Sequence, residues 1–212
     1  MNAHFTYNPL NRDEYPFNRE YMSAADFLFT PSMQRVLALV FVDSEQSFTL
    51  NELLTRAGGG RGGGQRQIEQ LLAAGVLDEG PRRSRQRSIK VNMSFFLYPE
   101  LRGIVLKSFG LAEPLRAALK PFEAQIDEAF VFGSVAKGTD THNSDIDLIV
   151  VGDAPLMAMT DALLEVGTFL GRPVHLSLYG ADEWAELRRA DPVLAQISEA
   201  SKIGILPHAT PN

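Results

Sequence analysis

The sequence predicts a mixed α+β protein of two units, in which helices and a basic β-hairpin precede an α/β unit with a small mixed sheet. Three observations support this fold class. Helix start signals and apolar residues at helical spacing run from residue 27 to residue 74. An arginine-rich turn lies between two short apolar segments in residues 76–91, and two apolar runs surround a Gly-Ser turn and an Asp-x-Asp motif in residues 130–151.

The same patterns divide the 212-residue chain into five parts, because this length allows one good core or two small ones. We predict an arm at residues 1–26, a helix-hairpin unit at 27–95, a helical connector at 96–124, an α/β unit at 125–206 and a tail at 207–212. The apolar character of the connector is compatible with a homodimer.

Charge is distributed unevenly over a chain whose formal net charge is −6. Residues 1–110 contain 13 Lys and Arg against 11 Asp and Glu, whereas residues 111–212 contain 7 against 15. The stretch from Arg56 to Lys90 has a net charge of +5. This asymmetry points to an anionic partner for the first half and argues against a surface that coats nucleic acid uniformly.

The composition also excludes some classes of site. The chain contains no cysteine, which excludes disulfides and thiolate metal sites. The N-terminal residues lack a signal-peptide pattern, and the longest apolar run, Val36 to Val42, is far too short to span a bilayer. We therefore expect a cytoplasmic protein of bacterial type that does not contact a membrane.

Two helix starts are well marked in the first unit. Thr30 can cap a helix whose first position is Pro31. Thr49 and Glu52 have the spacing of a capping box at the start of a second helix. Six glycines within residues 58–64 are read as a turn in preference to a flexible linker, because a third short helix follows at residues 65–74.

Exposed side chains of the third helix and of the hairpin loop at residues 80–87 are candidates for DNA contacts. A helical wheel that buries the apolar positions turns Arg66, Gln67 and Gln70 outward. Arg and Gln side chains can read guanine and adenine edges, whereas hairpin arginines suit phosphates or a minor groove. The alternatives are a plain exposed helix face and a solvated arginine loop. The candidate residues are Arg61, Gln65, Arg66, Gln67, Gln70, Arg82, Arg83, Arg85 and Arg87.

Three helices followed by a basic hairpin resemble the winged helix-turn-helix fold of bacterial transcription regulators. The resemblance implies that the unit binds double-stranded DNA, with its third helix in the major groove.

Two apolar runs in the second unit predict adjacent buried strands, at Phe130–Phe132 and at Ile146–Val151. Strand side chains alternate between faces, so Asp145 and Asp147 project from the same side, about 7 Å apart. Charged groups in so apolar a context are costly unless they are paired or bound to metal. The two carboxylates therefore predict a divalent-cation site.

Gly133 and Ser134 follow the first of these strands directly. The loop after them should open with a helical turn whose free N–H groups can face an anion. Gly133 allows close approach of the backbone, and Ser134 adds a hydroxyl. The alternative is an ordinary turn followed by an acidic decoration of an edge strand.

The string of Gly-Ser, ten residues and Asp-Ile-Asp resembles the signature of the minimal nucleotidyltransferases of the DNA-polymerase-β-like superfamily. The resemblance implies that Gly133, Ser134 and Asp145 hold a nucleoside triphosphate and that Asp145 and Asp147 bind Mg²⁺. In an active enzyme the same two aspartates would be catalytic. The order of the two units is similar to that of prokaryotic regulators that fuse a winged helix to a minimal nucleotidyltransferase domain.

The third carboxylate of active family members has a different counterpart here. A helix at residues 155–170 and a strand at residues 172–178 follow the motif, and the position that resembles the third acid is His175. A neutral imidazole brings no negative charge and prefers softer metals than Mg²⁺. We interpret His175 as a strand residue hydrogen-bonded to a neighbour, in preference to a ligand or base, and expect weak or absent transfer.

Three functions follow from these patterns. The first is a DNA-binding transcriptional regulator whose second unit binds nucleotide, Mg²⁺ or both. The second is an active transferase that places a nucleoside monophosphate on a protein or small-molecule hydroxyl and is targeted by the first unit. The third is an interaction module in which both sites have decayed.

Overall fold

The structure is a computed structural model that describes residues 23–58, 61–83 and 86–206. Of the predicted arm, only residues 23–26 are described, and the predicted tail lies entirely outside the described residues. The described chain forms two α/β halves, one from Ser23 through the fourth helix and one from Leu111 to Leu206.

The first half contains three helices, a small sheet and the first helix of the connector. The helices are α1 (Pro31–Val42), α2 (Leu50–Arg56), α3 (Arg61–Ala73) and α4 (Tyr98–Lys107), and the strands are β1 (Phe48–Thr49), β2 (Leu77–Arg83) and β3 (Gln86–Val91). The strand order is β1-β3-β2, with both pairs antiparallel. A core of buried apolar side chains joins α1, α2, α3 and α4 to this sheet.

Both predicted helix starts are confirmed. The Thr30 hydroxyl accepts a hydrogen bond from the Met33 N–H, and a proline occupies the first turn of α1. The Thr49 hydroxyl accepts from the Glu52 N–H, while the Glu52 carboxylate accepts from the Thr49 N–H. Each cap is worth about 1 kcal/mol, so these signals fix where the helices begin.

The glycine run differs from its prediction. We expected a turn up to residue 64, but α3 begins at Arg61 and includes the glycines at positions 62–64. Close packing against α2 explains one of them, because a Cβ on Gly64 would lie 2.9 Å from Leu54 Cδ2. Tertiary packing therefore outweighs the low helix propensity of glycine here. The hairpin strands also extend further into the loop than predicted, to Arg83 and from Gln86.

The connector consists of two helices that belong to different cores. Helix α4 places Val105 in the core of the first half, whereas α5 (Ala112–Leu119) places Leu115 and Leu119 in the core of the second. Pro121 limits the second helix, since residues 120–125 continue as a 3₁₀ turn.

A four-stranded mixed sheet forms the second half, as predicted. Its strands are β4 (Ile126–Phe132), β5 (Ile146–Gly152), β6 (Val174–Tyr179) and β7 (Ile203–Leu206), and its helices are α6 (Gly133–Lys137), α7 (Leu156–Leu170), α8 (Ala181–Ala190) and α9 (Pro192–Glu199). The order is β6-β5-β4-β7. Strand β6 runs parallel to β5, whereas β4 is antiparallel to β5 and β7.

The two faces of this sheet have different roles. Ile146, Leu148 and Val150 point to the face that packs against α5 and α7. The alternate positions Ile149 and Val151 point to the face covered by Trp184 of α8, and alternation places Asp147 on that second face. Leu156, at the first position of α7, is half-exposed.

No helix in the described ranges combines the length and the apolar character needed to cross a membrane.

Candidate functional site

A glycine turn at the end of β4 packs directly against an aspartate of the neighbouring strand. Gly133 has a φ of +72°, a conformation that costs other residues about 1–2 kcal/mol. A Cβ at this position would lie 2.5 Å from Asp147 Oδ2. The contact arises because Phe132, the residue before the turn, pairs with Asp147 across the antiparallel ladder. Glycine is therefore needed here both for its backbone angle and for the space that the carboxylate occupies.

The predicted helical turn follows at once. Helix α6 begins at Gly133, and Ser134 lies in its first turn with a partly exposed side chain. The turn ends at Gly138, which adopts the left-handed conformation of a helix C-terminus. The first N–H groups of such a turn have no partner within the helix, so the end of β4 has the form predicted for an anion-binding loop.

Asp145 and Asp147 lie on either side of Ile146, which is completely buried in the opposite direction. Burial raises the pKa of the Asp147 carboxyl, nearby His175 opposes that shift, and the negative charge of Asp145 adds to it. A carboxylate that is made harder to ionise by burial and by a second carboxylate is stabilised by a bound cation. The electrostatics of the pair therefore fit the predicted cation site.

His175 stands beside this pair at the position expected from the sequence. It is the register partner of Asp147 in the parallel β5–β6 ladder. Its Nε2 atom lies 3.6 Å from Asp145 Oδ2, and 65% of its side chain is exposed. This distance is longer than a hydrogen bond, so the hydrogen-bonded neighbour that we predicted for His175 is not found among the described residues.

The donor set suits one hard divalent cation through two carboxylates. Carboxylate oxygens are the ligands that Mg²⁺ prefers, and Asp145 and Asp147 supply them from positions close enough that the charge of Asp145 raises the pKa of Asp147. Within the part of the chain that the structure describes, no group of three or more His, Asp or Glu side chains is arranged to hold a metal ion. The described part of the site therefore combines two carboxylates, Asp145 and Asp147, with the imidazole of His175.

The candidate DNA surface is only partly as predicted. Arg66 and Gln70 are exposed on α3, in agreement with the helical wheel, and the candidate Gln65 is exposed as well. Gln67 instead turns toward α1, where its side-chain amide donates to the hydroxyls of Thr30 and Ser32. The reason is that two hydroxyls at the start of α1 lie opposite this position and accept hydrogen bonds from the NH2 group of the amide.

One arginine of the hairpin, Arg87, is paired with carboxylates of two neighbouring elements. The guanidinium of Arg87 forms ion pairs with Glu69 of α3, at 3.2 Å, and with Glu79 of β2. Its charge is therefore shared with two carboxylates. Arg85 and the side chains of Arg61, Arg82 and Arg83 lie outside the described part of the chain.

Sequence reasoning missed the residues that hold the loop between Gly138 and Asp145. Asp140 is buried between Arg102 and Arg172, although neither arginine belongs to a recognisable motif. The available signal was weak, since it consisted of an aspartate in a polar loop and an arginine before Pro173.

Comparison with known families supports this description of the second half. Residues 114–203 match the family described as nucleotidyltransferase domain. The match begins inside α5 and ends at the first residue of β7, so it includes β4, β5 and β6 and all the helices between β4 and β7. Comparison with curated protein sequences finds no match. The second half of the chain thus contains a nucleotidyltransferase domain.

Proposed function

We propose that the protein is a DNA-binding transcriptional regulator whose nucleotidyltransferase domain binds a nucleoside triphosphate, a divalent cation or both, with weak or lost transfer activity. The observation that carries the proposal is His175, an imidazole in register with Asp147 where the family pattern has a carboxylate. In this proposal residues 27–95 form a winged helix-turn-helix domain, residues 96–124 a connector and residues 125–206 the nucleotide-binding domain.

Ligand binding in the second half is supported by the packing of the turn on the acid strand. The N–H groups of the Gly133–Ser134 turn would hold phosphate oxygens, and the Ser134 hydroxyl would add a further donor. Asp145 and Asp147 would hold Mg²⁺ through oxygen atoms. When bound, the cation would neutralise phosphate charge and orient the phosphates for attack.

Weak transfer follows from what this chain's residues lack. Transfer of a nucleotidyl group requires a base that takes the proton of the attacking hydroxyl, in a site where carboxylates also balance the charge of two metal ions. His175 is largely exposed and brings no negative charge in its neutral form. Asp145 and Asp147 can hold a cation, but no third carboxylate of the described chain joins them.

DNA binding is supported by the order and placement of the elements of the first half. Helices α1, α2 and α3 precede the β2–β3 hairpin, and β1 completes the sheet. This order is similar to that of a winged helix and supports the proposal. Helix α3 would enter the major groove with Gln65, Arg66 and Gln70 toward the bases. The hairpin arginines would contact phosphates or the minor groove.

A gel-shift titration at low salt tests the DNA-binding part of this proposal. We expect Arg66→Ala to weaken binding to duplex DNA about tenfold, as removal of a base-reading arginine does. Arg189→Ala, which removes an exposed arginine from α8 in the other half, is the matched control and should bind as the wild type does. A wild-type protein that ignores duplex DNA at low salt excludes the regulator.

An active transferase is the second candidate, and the intact packing of Gly133 on Asp147 favours it. Incubation with a radiolabelled nucleoside triphosphate and a lysate of acceptors distinguishes the two functions. The regulator predicts little or no label transfer by the wild type and a gain in His175→Asp, which restores a third acid. Transfer by the wild type that disappears in Asp145→Asn and Asp147→Asn would establish the enzyme. Absence of both DNA and nucleotide binding would leave an interaction module.

A further inference from the structure

The loop that leads into Asp145 is held in place by a buried charged cluster. The side chain of Asp140 is 5% exposed. Its carboxylate accepts hydrogen bonds from Arg102 Nη2 at 2.7 and 2.9 Å and from Arg172 Nη1 at 2.8 Å. Arg102 belongs to α4 in the first half of the chain, whereas Arg172 precedes β6 in the second. One buried carboxylate therefore joins the two halves.

Arg172 links the end of α1 to the backbone beside the acidic site. Its Nη1 atom also donates to the carbonyl of Val42, the last residue of α1, at 3.0 Å. Its Nε atom donates to the carbonyl of Ser144 at 2.8 Å, and Ser144 is the residue directly before Asp145. The side chain is only 2% exposed, so water does not compete for these contacts. A single guanidinium thus fixes three partners that lie far apart in the sequence.

A second contact holds the same loop from the other side. The His142 N–H donates to Glu45 Oε2 at 2.8 Å, and His142 Nδ1 lies 2.5 Å from Asp43 Oδ2. Both acids belong to the short segment that follows α1. The loop is therefore attached to the first half at Asp140 and at His142, both of which lie within a few residues of Asp145 in the chain.

We propose that Arg172 is a positioning residue for Asp145 and that the first half of the chain is, through α1, a structural part of the acidic site. Helix α1 contacts Gln67 of α3 at its first residues and Arg172 at its last residue. One rigid helix therefore touches both the candidate DNA surface and the loop that carries the acid. The inference rests on the proposed function for the identity of the ligands, but its geometry does not depend on it.

The role requires arginine because only a guanidinium has donors in a fork that reaches Asp140, Val42 and Ser144 at once. A lysine keeps the positive charge but offers one nitrogen on a flexible stem. Arg172→Lys should therefore leave the charge of the cluster intact while it releases the Ser144 carbonyl. Arg116→Lys is the matched control, since Arg116 Nε donates to the Ile205 carbonyl at 3.1 Å in the same half but away from this loop.

Amide hydrogen exchange of the full chain tests the positioning role. The Ser144 N–H donates to the Thr141 carbonyl, and the Ile146 N–H donates to the Pro173 carbonyl, so both amides report on the backbone around Asp145. We expect their exchange to be at least about tenfold faster in Arg172→Lys than in wild type and unchanged in Arg116→Lys. Equal exchange in the two variants would overturn the proposal.

If Arg172→Lys does not fold, a variant of exposed residues can still test whether the first half orders the loop. The double variant Glu45→Ala with His142→Ala removes the exposed side chains of the second contact and leaves the buried cluster in place. We expect about threefold faster exchange at Ser144 with no change at Ile149, which lies in the centre of β5. Unchanged exchange at Ser144 would show that the contacts of His142 with the segment after α1 do not order the loop.

Titration with Mn²⁺, followed by electron paramagnetic resonance, separates this inference from the proposed function. If Arg172 positions Asp145, Mn²⁺ should bind about tenfold more weakly to Arg172→Lys than to Arg116→Lys. If the wild type binds no Mn²⁺ with or without ATP, the cation site of the proposed function fails, whereas the exchange of Ser144 and Ile146 still decides the positioning role. Equal Mn²⁺ affinity of the two variants would contradict it.

Discussion

The acidic site and the basic surface of α3 and the hairpin differ in how the fold holds their charged side chains. Asp140, behind the acidic site, is buried between two arginines that are at most 9% exposed. Arg87, on the basic surface, pairs with two carboxylates while all three side chains are more than a third exposed. Breaking a buried pair costs about 3–5 kcal/mol, whereas an exposed pair contributes about 0–1 kcal/mol. The acidic site is therefore fixed in shape, and the basic surface can rearrange around a ligand.

A substitution at Gly133 should have the largest effect on the acidic site, whose shape the fold fixes. Alanine at a positive φ costs about 1–2 kcal/mol wherever it is placed. At Gly133 the new Cβ also meets the Asp147 carboxylate, which must rotate away because it is the flexible end of a side chain. We expect Gly133→Ala to lower Mn²⁺ affinity at least about tenfold, as measured by isothermal titration calorimetry.

Gly171→Ala is the matched control for that substitution. Gly171 has the same backbone conformation, with a φ of +71°, and a Cβ added to it would have no atom within 4 Å. The two variants should lose similar free energy of unfolding, but only Gly133→Ala should lose Mn²⁺ binding. Similar Mn²⁺ affinity in both would mean that Asp147 is not held by the turn.

A titratable group at the boundary between the halves gives a pH-dependent test. Burial raises the pKa of Glu113, although a hydrogen bond from Ser23 Oγ at 2.7 Å opposes the shift. A carboxyl whose pKa is raised by folding binds its proton more tightly in the native state, so the free energy of unfolding falls as pH rises from its ordinary value through the raised one.

Glu113→Gln removes this dependence because glutamine stays neutral and can still accept the Ser23 hydrogen bond. We expect the variant to gain stability relative to wild type as pH rises from about 4 to about 7, in urea melts at each pH. Parallel pH profiles for the two proteins would show that the cost of burying Glu113 is compensated.

The local part of each site could be predicted from the sequence, and the long-range part could not. Gly133, Ser134, Asp145 and Asp147 lie within 15 residues of one another, so apolar runs and turn chemistry were enough to predict the adjacent strands and the helical turn that carry them. The partners of Arg172 lie 28, 32 and 130 residues away, and no periodicity records such contacts. The same limit explains the wrong prediction for Gln67. Its helical position alone indicates an exposed side chain, but its hydrogen-bond partner Thr30 lies 37 residues away in the sequence.

The glycines of α3 test how closely the helix that carries the basic surface packs against α2. Gly63 is exposed with nothing within 4 Å of an added Cβ, whereas a Cβ on Gly64 would meet Leu54 at 2.9 Å. Gly63→Ala should raise the free energy of unfolding by about 1 kcal/mol through helix propensity alone. Gly64→Ala should gain less, since Leu54 must repack. A higher melting temperature for Gly64→Ala than for Gly63→Ala would show that Gly64 does not pack closely against Leu54.

The ion pairs of Arg87 give the most subtle test, which concerns how much of the basic charge is available to DNA. Glu79→Gln removes the charge of one of the two carboxylates that pair with Arg87, so a guanidinium paired with Glu69 alone can then contact a phosphate. We expect the slope of log affinity against log salt to steepen by about 0.9, the value for one added phosphate contact, in fluorescence-anisotropy titrations with duplex DNA.

Asp78→Asn is the control that separates release of Arg87 from a change in net charge. Asp78 is the preceding residue of β2, so it removes an equal charge from the opposite face of the hairpin. If the two variants steepen the slope equally, the effect belongs to the overall field of the first half, and release of Arg87 adds no phosphate contact. If only Glu79→Gln does so, the acids around Arg87 restrain the affinity of the surface, and that restraint is set by residues that carry no DNA contact themselves.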